Sequence, residues 1–136
     1  MITTLRELNL SFNMIKDISP IGDLKLLEKL FLNRNQISII DPIKSLTSLQ
    51  AIGLFHNEIF NAQKSLEVLA FLGINYKLRE ISIDGNPISS TTKFKNQLIL
   101  SIPKLEILDD ERIQELDREV ALQYFEVHNL PLPEFV

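Results

Sequence analysis

The chain has 136 residues, 45% of them hydrophobic, with only four glycines, no cysteine and a formal charge of −4. This describes one folded domain rather than a disordered tail, and the acidic balance argues against nucleic acid as the main partner. Apolar runs are too short to span a bilayer, the first ten residues read as a strand rather than a leader, and the absence of cysteine points toward a reducing, intracellular compartment. An N-x-S sequon at Asn9 falls inside a predicted strand and is read as chance.

In chain order, the first feature is a spacing. Leu5, Leu8, Leu10, Asn13 and Ile15 recur as Leu27, Leu30, Leu32, Asn35 and Ile37. They recur again as Leu49, Ile52, Leu54, Asn57 and Ile59, and as Leu78, Ile81, Ile83, Asn86 and Ile88. The leading leucines lie 22 residues apart twice and then 29. Alternation such as Leu30–Leu32 suits a short strand with its apolar side chains on one side. The asparagine then sits where the chain turns, and its amide is expected to cap the loop backbone of the next repeat. Asn13, Asn35, Asn57 and Asn86 are therefore structural candidates.

After the first two asparagines the pattern continues I-x-x-I-x-P-I-x-x-L. Proline fixes φ and donates no hydrogen bond, so Pro20 and Pro42 mark the start of short helical or 3-10 segments. In the third copy the seven extra residues fall in Ala62–Leu72, an amphipathic stretch that predicts a full α-helix with Gly73 as its stop. Phe94, Leu98, Ile99 and Ile102 predict another helix over 92–102. An acidic helix is expected over 110–127, packing through Ile113, Leu116, Val120, Tyr124 and Val127, or offering that stripe to a partner. Residues 128–136 read as an extended, proline-spaced tail.

The repeated L-x-x-L-x-L-x-x-N-x-I motif is the leucine-rich repeat signature. Residues 5 to about 60 resemble the intracellular twenty-two-residue subclass typified by the phosphatase-1 regulatory protein and an axonemal dynein light chain. Residues 86–109, running from Asn86-Pro87 to Ile102-Pro103-x-Leu105-x-x-Leu108-Asp109, resemble the C-terminal cap of the spliceosomal A-prime protein. The resemblance implies an α/β fold: a right-handed solenoid over 1–109 with a parallel sheet on its concave face, helical or 3-10 convex segments and a helical cap. It also implies an intracellular, cytoplasmic setting, with the cilium or axoneme as one option. A solenoid needs a cover at each end. Met1–Thr4 cannot cover Leu5, Leu8 and Leu10, so more repeats or another subunit are expected against that edge.

A search for chemistry finds little. His56 and His128 stand far apart in sequence, and there is no H-E-x-x-H, C-x-x-C or phosphate loop. Asp84-Gly85-Asn86-Pro87 is turn chemistry and lacks a calcium loop's alternating oxygens. No catalytic residue, metal, cofactor or small-molecule substrate is expected. The residues between the consensus leucines face the concave sheet: Glu7, Asn9, Ser11; Lys29, Phe31, Asn33; Ala51, Gly53, Phe55; Glu80, Ser82, Asp84. Phe12, Arg34 and His56 line one rim. An aromatic residue on a solvent-facing strand has no packing reason, whereas interfaces favour aromatics with small residues beside them. The expected protein-binding set is Lys29, Phe31, Asn33, Arg34, Phe55, His56, Glu80 and Asp84, with Phe12 tucked into the ascending loops. Three functions are open: an interaction module that binds a protein on its concave face, a structural subunit contacting through its edges, and an RNA-associated component. The third needs a basic stripe, and only Lys29 and Arg34 stand near one another.

Overall fold

A computed structural model describes residues 3–133. Met1, Ile2 and the tail residues Glu134, Phe135 and Val136, which belong to expectations above, lie outside the described residues. Four copies of the motif form four coils, each starting with a three-residue strand: β1 (Glu7–Asn9), β2 (Lys29–Phe31), β3 (Ala51–Gly53) and β4 (Glu80–Ser82). The strands pair in parallel with the motif in register, Leu8 beside Leu30, Leu30 beside Ile52 and Ile52 beside Ile81. A fifth strand, β5 (Ile107–Leu108), continues the parallel sheet from the segment read as cap, and β6 (Glu111–Arg112) closes it antiparallel. The architecture is the expected leucine-rich repeat solenoid.

The consensus side chains fill the interior. Leu27, Leu30, Leu32, Ile37, Ile40, Ile43, Leu46 and Leu49 are fully buried. Pro20 and Pro42 open 3-10 turns at Ser19–Asp23 and Asp41–Ser45 on the convex side, as the fixed proline φ favours. In the third coil that turn is replaced by helix α1 (Ala62–Asn75), capped by Asn61, whose side chain accepts the Lys64 N–H. The extra residues therefore stand on the convex side, and β3 and β4 keep their pairing.

Gly73 does not end this helix, which runs two residues further. A Cβ there would lie 2.5 Å from Ile102 Cγ2, so the glycine allows α1 to sit against the residue that ends α2 (Thr92–Ser101). The sequence signal for a stop was a signal for close approach.

The C-terminal helix also differs from expectation. Asp109 and Asp110 both take left-handed backbone angles, φ 51° and 65°, and turn the chain back into β6. Helix α3 thus begins at Glu115 and ends at Val127. Its buried residues are Ala121 and Phe125, while Leu116, Val120 and Val127 are exposed and Ile113 and Tyr124 half-buried. Two contacts set this rotation. The small Ala121 lets α3 approach the domain, and the Arg118 guanidinium donates to the Ile99 and Leu105 carbonyls at 2.8 and 2.7 Å, satisfying groups left open where α2 ends. The tail folds back: Leu130 to Pro133 lie beside Gln63, Leu66, Lys93 and Gln97 of α1 and α2.

The turn asparagines bind the preceding coil rather than the next. Asn35 Oδ1 accepts the Ile15 N–H at 3.0 Å, and its Nδ2 donates to Leu10 O at 3.0 Å and Leu32 O at 3.1 Å. Asn57 repeats this with the Ile37 N–H, Leu32 O and Leu54 O, and Asn86 with the Ile59 N–H, Leu54 O and Ile83 O. The direction follows from which groups are orphaned. In the first three coils the N–H two residues past the asparagine faces up the stack, so the following coil must supply its acceptor, whereas the Ile88 N–H of the fourth donates back to the Ile59 carbonyl at 3.1 Å. Asn13, in the first coil, is exposed and bonds only to Leu10 O and Ser11 O of its own coil.

Replacing Asn57 with Ala leaves the buried Ile37 N–H unpaired and takes one of two donors from the Leu32 and Leu54 carbonyls, which keep Asn35 and Asn86, and is expected to cost about 2 kcal/mol. Asn13→Ala is expected to cost less than about 1 kcal/mol, because its groups reach water. Urea unfolding of the two variants, compared through their midpoints, checks the asymmetry. Gly73→Ala is expected to lose about 1–2 kcal/mol in the same assay, since the overpacking against Ile102 exceeds alanine's gain of about 1 kcal/mol in helix propensity.

Candidate functional site

Strand alternation puts the consensus leucines inward and the residues between them on the concave face. Phe31 of β2 is half-buried and lies over Gly53 of β3, where a Cβ would stand 3.0 Å from Phe31 Cδ1. Asn33 lies over the same glycine, 2.8 Å from that Cβ position. Asn33 Oδ1 accepts the Phe55 N–H at 2.9 Å, and the Asn33 N–H donates to Ser11 Oγ at 3.1 Å. Asn33 therefore ties the strand ends of three coils, through its backbone N–H on one side and its side-chain oxygen on the other. A Cβ at position 53 would push the Asn33 amide off its hydrogen bond and press on the Phe31 ring, so glycine keeps this packing.

These groups surround a concavity of about 300 Å³ lined by Phe31, Asn33, Ala51, Gly53, Phe55, Glu80, Ser82 and Asp110. It shares Ala51 and Glu80 with a second hollow of about 400 Å³ toward the other end of the strands, lined also by Lys29, Gln50, Lys77, Arg79, Glu106 and Ile107. The face is thus one trough. Of the expected binding residues, Lys29, Phe31, Asn33, Phe55 and Glu80 line it. Lys29 also lies 3.7 Å from Glu7, an exposed pair that contributes little to stability.

Arg34 and His56 stand on the rim and share an unexpected backbone feature. Phe12, Arg34 and His56, 22 residues apart, all have left-handed φ angles of 62°, 55° and 56°, and Gly85 occupies the same place in the fourth coil at 80°. Each coil has to turn out of its strand at this point. Non-glycine residues pay about 1–2 kcal/mol there. Phe12 is not tucked into the loops: the left-handed backbone turns it outward, and it is 75% exposed. Arg34 bridges the rim, its Cζ 5.7 Å from the Phe12 ring centroid and 5.1 Å from that of Phe55. The His56 ring meets Phe55 edge-on at 4.4 Å and lies against Gly85. The glycine in Asp84-Gly85-Asn86 was the signal that the aligned positions are left-handed.

Asp84 is drawn away from the trough. Its carboxylate pairs with Lys95 Nζ at 3.1 Å, and the same nitrogen meets Asp109 Oδ2 at 2.8 Å. Asp109 Oδ1 accepts the N–H groups of Ile83 and Asp84 at 2.7 and 2.9 Å. It thereby occupies donors that would otherwise end the sheet open. Burial disfavours the Lys95 charge, but Asp109 and Asp84 outweigh it and hold its pKa above the ordinary lysine value. Neither Lys95 nor Asp109 was picked out by repeat spacing.

Comparison with known proteins agrees with this geometry. A family model described as Leucine Rich repeats (2 copies) matches residues 3–45. Among solved structures, internalin C2 from Listeria monocytogenes is 26% identical, with a TM-score of 0.63 over 78% of this chain and 42% of its own. A chain of the Drosophila melanogaster SNF/U2A′ complex is 27% identical, with a TM-score of 0.62 over 88% of this chain and 62% of its own. The Listeria internalin inlF is 31% identical, with a TM-score of 0.62 over 82% of this chain and 29% of its own. The chain spans less than two thirds of the length of each. No curated protein matches it. These findings support a leucine-rich repeat family and do not single out a subclass within it.

Lys95→Met removes the charge that holds Asp84 and Asp109 and is expected to cost about 1 kcal/mol, discounted for partial exposure. Because the folded-state pKa of Lys95 is raised, its contribution is complete below the unfolded value of about 10.4 and fades as pH rises through the folded value. The stability gap between wild type and Lys95→Met, read by urea unfolding, should be constant from about pH 7 to 9 and shrink only above about pH 10.5.

Proposed function

We propose that this chain is a non-catalytic protein-interaction module, a scaffold or regulatory adaptor that binds a protein on its concave face. Leucine-rich repeat proteins generally serve as interaction modules, and the neighbour in the SNF/U2A′ structure is part of a complex. One observation carries the assignment to the concave face. Phe31 and Phe55 flank a floor of Gly53 and Ala51 on a sheet surface that needs no aromatic residue for its own packing. Aromatic walls around a small-residue floor are what an interface hot spot uses. The 22-residue spacing and the residue 86–109 motif support the intracellular subclass with an A-prime-like cap, and the lack of cysteine supports a reducing, cytoplasmic setting.

A second reading, in which the chain is part of a larger array or assembly and contacts through its edge, also has an observation behind it. Leu5, Leu8, Leu10 and Ile15 are only partly buried, whereas their counterparts Leu27, Leu30, Leu32 and Ile37 are fully covered. Asn13 moreover has no preceding coil to bind among the described residues. The RNA-associated reading lacks such support, because the trough mixes Lys29, Lys77 and Arg79 with Glu80, Glu106 and Asp110.

The two supported readings separate by mutation. Phe31→Ala removes an aromatic wall of the trough without adding charge, and Met14→Glu places a charge on the first coil, where Met14 is exposed. A partner identified by cross-linking in cells should bind Phe31→Ala at least about tenfold more weakly and Met14→Glu unchanged. Loss confined to Met14→Glu would transfer the assignment to the edge. Circular dichroism melting of both variants verifies that each is folded.

A further inference from the structure

The trough has a chemical preference that the proposed function does not specify. The concavity at Gly53 has two aromatic walls, Phe31 and Phe55, and the charged side chains lining it are both carboxylates, Glu80 and Asp110. Among the described residues, no lysine, arginine or histidine nitrogen lies within 4.0 Å of either carboxylate. This contrasts with Asp84 and Asp109 nearby, which share Lys95. Asp110 is held in the tight β5–β6 turn by a left-handed backbone, so its position is fixed by the fold.

We infer that this concavity receives an arginine side chain of the protein partner. The inference rests on the concave-face reading above and adds the chemistry of the anchor. A guanidinium is planar and weakly hydrated, stacks on aromatic faces and forks its donors onto carboxylates. It therefore answers all three parts of the pocket: the rings of Phe31 and Phe55, the acidic mouth, and the flat floor left by Gly53. A volume of about 300 Å³ accommodates such a side chain together with part of its backbone. A purely apolar anchor would desolvate Glu80 and Asp110 without pairing them, which is costly. An acidic anchor would meet like charge. Lysine brings the charge without the stacking plane and binds less well. The rim carries the opposite sign through Arg34, so a partner segment with arginine in the trough and an acidic residue toward Phe12 and Phe55 fits one orientation better than its reverse.

The test selects phage-displayed random dodecapeptides on the whole chain and measures the recovered peptides by calorimetry. Arginine should be enriched at one position. Replacing it with citrulline, which has the same shape and no charge, should weaken binding about tenfold. Asp110→Asn and Glu80→Gln should each do the same, while their melting curves match wild type, since asparagine tolerates the left-handed turn. Peptides that bind the trough, lose affinity with Phe31→Ala, which removes the ring and adds no charge, and yet show no arginine preference would overturn this inference and leave the concave-face reading intact. Peptides unaffected by Phe31→Ala, or no recovered peptide at all, would overturn both.

Discussion

Each of the first three coils turns out of its strand with a backbone N–H pointing up the stack, and that N–H has no partner in its own coil. Burying it bare would cost about 1–3 kcal/mol per coil, enough to undo a domain whose net stability is about 5–15 kcal/mol. The asparagine of the following coil supplies the missing acceptor and ties up two carbonyls at the same time. The asparagine acts with the parallel backbone ladder to hold neighbouring coils in register, and the concave face is the product of that register. Phe31 lies over Gly53 because Phe31 and Gly53 are ladder neighbours.

Where one rule governed a position, the sequence was readable. The leucines, the turn asparagines and the two prolines each recur at a fixed interval, and each has one physical job. Reading failed where a position answered to two demands. Gly73 has the composition of a helix stop but serves close packing against Ile102. On α3 the larger apolar residues Leu116, Val120 and Val127 suggested the buried face, but Ala121 and Arg118 decide the rotation, through closeness and through two open carbonyls. A hydrophobic stripe cannot report a contact made by an alanine and a cation. The candidate site was legible in its concave members and not in Asp110, which reaches it through the turn of the cap, nor in Lys95 and Asp109, which draw Asp84 away from it.

The rim shows the same conflict in the backbone. A left-handed turn position is easiest for glycine, and only the fourth coil has one there. Phe12, Arg34 and His56 are held in that conformation by the coils around them, and the result is a row of large side chains projecting beside the trough. Residues kept in a costly backbone state tend to cluster where surfaces are used. The sequence-based expectation that Phe12 packs inward treated it as a core residue, but its position in the turn overrides its hydrophobicity.

The two ends of the stack are built differently, and this gives the molecule a thermodynamic direction. At the last coil Asp109 occupies the open N–H groups, Lys95 clamps Asp109, and β6 closes the sheet. At the first described coil the leucines are partly open and Asn13 binds only itself. In a structure whose coils contact only their neighbours, stability adds along the stack. Local opening should therefore cost least at β1 and progressively more toward the sealed end, so the solenoid frays like a zipper with one end stitched shut. The trough begins one coil in from that open end, and through Ser11 and Phe12 its Asn33 and the rim residue Arg34 lean on the first coil, so breathing there reaches the near wall of the trough and spares the far one.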